Sequence, residues 1–83
     1  MRILNRETNQ VFDSIEIFLT REEGEELLAR MSGLLSNSKT HHIHLDTDEI
    51  DGRYERELIV SIYTNNNIEE FDDRSKLLIN KGI

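Results

Sequence analysis

The chain has no cysteine and no tryptophan, and it lacks any long hydrophobic run. Without cysteine there can be no disulfide framework and no thiolate metal site, and cysteine usage says nothing about the redox compartment. The opening MRILNRETNQ turns polar after Leu4 and lacks the apolar stretch of a signal peptide. No other run is long enough to span a bilayer, so a cytoplasmic location is expected. Only two Tyr and three Phe supply aromatic surface. The four glycines are scattered, so neither phosphate-cradling glycine pattern occurs, and there is no Gly-x-Ser-x-Gly elbow. With no constellation of nucleophile, base and pocket, the expectation is a protein that is not an enzyme and needs no cofactor.

Charge is what the chain has in quantity. Seventeen acidic residues against ten basic ones give a formal charge of −7 over 83 residues. Such a surface repels nucleic acid, which is gathered by basic proteins through counterion release. It suits solubility, or a basic protein partner. The length predicts a single α+β domain over 1–83 with a thin core, near the size at which one core alone becomes marginal. A homodimer that covers an exposed sheet edge, in ELIVSIYT or VFDSIEIFLT, is the expected remedy.

Periodicity predicts the elements. RILN followed by the turn ETNQ reads as one arm of a hairpin, and VFDSIEIFLT reads as a strand with Val11, Ile15, Ile17 and Leu19 on one parity. Thr20 with Glu23 three residues on is a capping box, each side chain satisfying a backbone donor that the first helical turn leaves unpaired. A helix over about Arg21 to Leu35 follows, with Leu27, Leu28, Met31, Leu34 and Leu35 as its apolar stripe. HHIHLD alternates as a strand, and ELIVSIYT reads as a central strand covered on most of both faces. A short helix, capped by Asn67 or Asp72 and stopped at Gly82, ends the chain, although KLLIN also suits a strand. The predicted fold is a small antiparallel-rich sheet in the order β-β-α-β-β, with a short C-terminal helix and the main helix packed on one face.

Two patterns carry possible chemistry. His42, His44 and Asp46 share one face of the predicted strand, and two imidazoles with a carboxylate are a zinc or iron donor set; half-solvated strands show the same alternation without any metal. A metal-binding or small-ligand-binding regulatory module built on this face is the alternative function. DTDEIDG fails as a calcium loop: counted from Asp46 the fifth position is Ile50, and counted from Thr47 the twelfth is Leu58. The acidic residues Glu22, Glu25 and Glu26 of the helix, with Asp46, Asp48, Glu49 and Asp51 after the histidine strand, form the candidate surface for a partner.

The order IEIFLTREEGEELLARMSGLL, a short loop, HHIHLD, a polar segment and ELIVSIYT resembles a small immunity protein family of bacterial polymorphic toxin systems, over roughly residues 15 to 64. The matching features are the acid-rich helix opened by Thr20 and the strand His42, Ile43, His44, Leu45. The resemblance implies a non-enzymatic protein that binds a basic toxin or nuclease and occludes its active site.

Overall fold

The computed structural model describes residues 1–37, 41–47 and 56–83. The fold is α+β, with two small antiparallel sheets of two strands each and two α-helices among the described residues. The chain divides into two compact units, one of residues 1–17 with 64–83 and one of residues 18–63.

The first unit contains strands β1 (Leu4–Asn5) and β2 (Gln10–Val11), paired so that Leu4 faces Val11. The hairpin expected around ETNQ is therefore present, and its turn chemistry explains it. The Asn5 carboxamide oxygen accepts from the backbone N–H of Glu7 at 3.0 Å, and Asn9 takes the left-handed conformation at φ 61°, one that asparagine tolerates better than most residues. The same unit holds a 3-10 turn, Ile68–Glu70, and helix α2 (Asp73–Lys81). Asp72 caps α2 by accepting from Ser75 N at 2.7 Å. Bonds from the backbone and hydroxyl of Ser75 hold the Asp72 carboxyl below the usual carboxylate range. Gly82, at φ 74°, ends the helix in the left-handed region where glycine carries no Cβ penalty, so KLLIN is helical and not a strand. Leu78 is the buried residue of this helix, and its carbonyl also accepts from Arg2 Nε at 3.1 Å.

In the second unit, helix α1 (Arg21–Ser36) starts where the capping box places it: Glu23 N donates to Thr20 Oγ1 at 3.1 Å and Thr20 N donates to Glu23 Oε1 at 2.8 Å. Strands β3 (His42–Thr47) and β4 (Arg56–Ser61) pair antiparallel, Ile43 facing Val60 and Leu45 facing Leu58, and α1 packs against β3. Among the described residues of this unit, Leu34 and Leu45, 5% and 3% exposed, are the buried hydrophobes. A Cβ at Gly24 or Gly33 would meet no atom within 4 Å, so neither glycine is demanded by close packing, and each costs α1 about 1 kcal/mol relative to alanine.

Three expectations are corrected. VFDSIEIFLT is not a strand beyond Val11: residues 12–20 are irregular, and Phe12, Ile15, Ile17, Phe18 and Leu19 are exposed, Phe18 by 83%. Alternation specifies which side chains share a face, but a strand also needs a neighbouring backbone to pair with; Phe12 N still donates to Ile3 O at 3.0 Å, and beyond it the segment forms no ladder among the described residues. β4 is not a central strand, since among the described residues it pairs with β3 alone, and Tyr63, just past its end, is 43% exposed. The five-residue stripe of α1 is also narrower than predicted. Leu27, Met31 and Leu34 turn inward, whereas Leu28 and Leu35 are 68% and 71% exposed. At 100° per residue those two leucines lie at one margin of the stripe, where a two-stranded sheet is too narrow to cover them.

Candidate functional site

The strand period and the β3–β4 register together build the polar face of the second unit. Leu45 is taken into the core, so the residues of opposite parity, His42, His44 and Asp46, face outward. The register sets Ser61, Ile59 and Glu57 opposite them in turn. Along one sheet face this gives three imidazole or carboxylate side chains from β3 and a fourth from β4.

The geometry divides this row into two groups. At one end the histidine rings cluster: His41 and His42 have centroids 4.7 Å apart with their Nδ1 atoms 3.1 Å apart, and His42 lies 5.1 Å edge-on from His44. Partial desolvation, then the nearby His41 and His44, lower the pKa of His42, so its neutral imidazole is favoured at pH 7. At the other end His44 Nδ1 is 3.2 Å from Glu57 Oε2, both side chains being partly exposed. His44, Asp46 and Glu57 can each offer one ligand atom, and these atoms lie within 4.8 Å of one another.

The structure therefore brings together two of the three residues expected to hold a metal, His44 and Asp46, and adds Glu57. His42 belongs to the same face, but its near neighbours are imidazoles. Glu57 was not marked by sequence reasoning because it opens the apolar run ELIVS, and its place opposite Asp46 depends on a strand register that alternation alone does not fix.

The acidic helix surface is modified by its own arginines. Glu22, Glu25 and Glu26 are all exposed on α1, yet Glu25 pairs with Arg21 at 3.2 Å and Glu26 with Arg30 at 2.6 Å, both four residues apart. Exposed pairs of this kind are worth about 0–1 kcal/mol and are readily exchanged for a partner's cation. Helical spacing sets Glu25 beside Leu28, with Leu35 two turns further along the same side. Asp48, Glu49 and Asp51 lie outside the described residues. No helix among the described residues is long and apolar enough to cross a membrane. No family model, curated protein or solved structure matches the chain.

Proposed function

We propose that this chain is a small acidic, non-enzymatic binding protein, an inhibitor of the immunity type that occludes a basic partner protein. The observation that carries the reading is the outer side of α1, where Leu28 and Leu35 stand exposed with Glu25 beside Leu28, and Glu22 exposed on the same helix, in a chain of net charge −7. Apolar anchors with a charged rim are the anatomy of a protein interface, in which the anchors hold the partner and the rim steers it. A carboxylate surface also mimics the phosphates that a basic nuclease binds. The test is co-expression with the product of the adjacent gene: a stable complex and loss of that product's activity are expected, and full activity in the presence of excess chain overturns the reading.

The free chain is proposed to be a homodimer. The support is the exposed alternating segment of Ile15, Ile17 and Leu19, together with the outer edges of β3 and β4, which among the described residues pair only with each other. Light scattering at micromolar concentration should return twice the 9.8 kDa chain mass, and Ile17→Lys should return the single mass. A monomer in the unsubstituted protein removes this proposal.

A further inference from the structure

We infer that the β3–β4 sheet carries a divalent transition-metal site whose protein ligands are His44, Asp46 and Glu57, an imidazole and two carboxylates drawn from both strands. Cross-strand register creates it. Asp46 faces Glu57 directly, and His44 lies two residues back along the same face, so the three side chains converge at one end of the paired region.

The dimensions suit zinc. Ligand bonds of about 2.0–2.2 Å at tetrahedral angles set neighbouring donors about 3.4 Å apart. The His44 Nδ1 to Glu57 Oε2 distance is 3.2 Å, already at that spacing, and the donor set as a whole spans no more than 4.8 Å, a gap closed by small torsions of exposed side chains. Charge points the same way. Two carboxylates facing each other across a strand pair are mutually repulsive, and a dication bound with a neutral imidazole turns that repulsion into attraction. An imidazole donor selects zinc and its transition-metal neighbours over calcium and magnesium, which take oxygen ligands. Three protein ligands leave a coordination position for water or for a donor from a partner.

The site differs from one built on the histidine row alone. The ligand atoms that come within 4.8 Å of one another are those of His44, Asp46 and Glu57, whereas His42 packs its ring against its neighbouring imidazoles, with its Nδ1 3.1 Å from that of His41. Glu57, directly opposite Asp46, is therefore assigned as the third ligand in place of His42.

The experiment is zinc titration calorimetry on chelator-treated protein, with thermal melts in zinc and in chelator, for the unsubstituted chain, Glu57→Gln, Asp46→Asn and His42→Gln. One zinc per chain is expected, with a melting temperature raised by zinc through mass action. Glu57→Gln and Asp46→Asn should each weaken binding by at least about tenfold, because loss of a direct ligand costs no less than loss of a supporting one. His42→Gln should bind as the unsubstituted chain does. Circular dichroism checks that each variant folds, and if either carboxylate variant does not, the other gives the same reading. The inference is overturned if zinc neither binds nor shifts the melt, or if His42→Gln abolishes binding while Glu57→Gln retains it.

Discussion

Leu34→Ala should destabilise the chain by about 2–5 kcal/mol in urea denaturation, whereas Leu28→Ala, six residues earlier on the same helix, should change it by less than about 0.5 kcal/mol. Both are leucines on α1, and the difference follows from where the helix turns them. Leu34 is 5% exposed in the unit where, among the described residues, Leu45 of β3 is the other buried hydrophobe; Leu28 is 68% exposed. Truncating Leu34 removes apolar surface that was out of water and leaves a void that a small core cannot fill by collapse. The loss is comparable to much of the total stability of a domain this size, so Leu34→Ala is measured best from a stabilised background such as Gly33→Ala. Equal effects at the two positions would mean that α1 is rotated from its observed setting and that Leu28 is not available to a partner.

The parts of the fold legible in the sequence are those set by residues close together in the chain. The start of α1 was readable because a capping box is complete within four consecutive residues, Thr20 to Glu23. The end of α2 was readable because a glycine in the left-handed conformation is a local requirement of the helix stop. The alternation of β3 was readable too, and it assigned His42, His44 and Asp46 correctly to one face. What was not legible depends on pairing between distant segments. Ile15, Ile17 and Leu19 alternate as well as Ile43 and Leu45 do, yet only the latter run has a partner backbone within the described chain. The placement of Glu57 opposite Asp46 required a register, and a slip of one residue would have turned Glu57 to the other face of the sheet. The width of the buried stripe on α1 was illegible for a related reason: the helix pattern gives its apolar margin, but the sheet beneath decides how much of that margin is covered.

If α1 presents the interface, Glu22→Lys with Glu25→Lys should slow association with a basic partner by about tenfold or more at low salt, and should flatten the dependence of the rate on ionic strength. Each substitution changes the charge by two units, which takes the chain from −7 to −3 and places one of the two reversals, at residue 25, beside Leu28. Glu25 must first give up its pair with Arg21, but that pair is exposed and screened, so its loss leaves the fold intact. The anchors should behave differently. Leu28→Ala with Leu35→Ala removes apolar contact that forms only after encounter, so it should raise the dissociation rate while leaving the association rate nearly unchanged. Stopped-flow association across a salt series, paired with dissociation by competition, separates the two effects. An unaltered association rate in the double charge reversal would make the α1 carboxylates ordinary solvated surface. An unaltered dissociation rate in the double leucine variant would place the contact on another face of the protein.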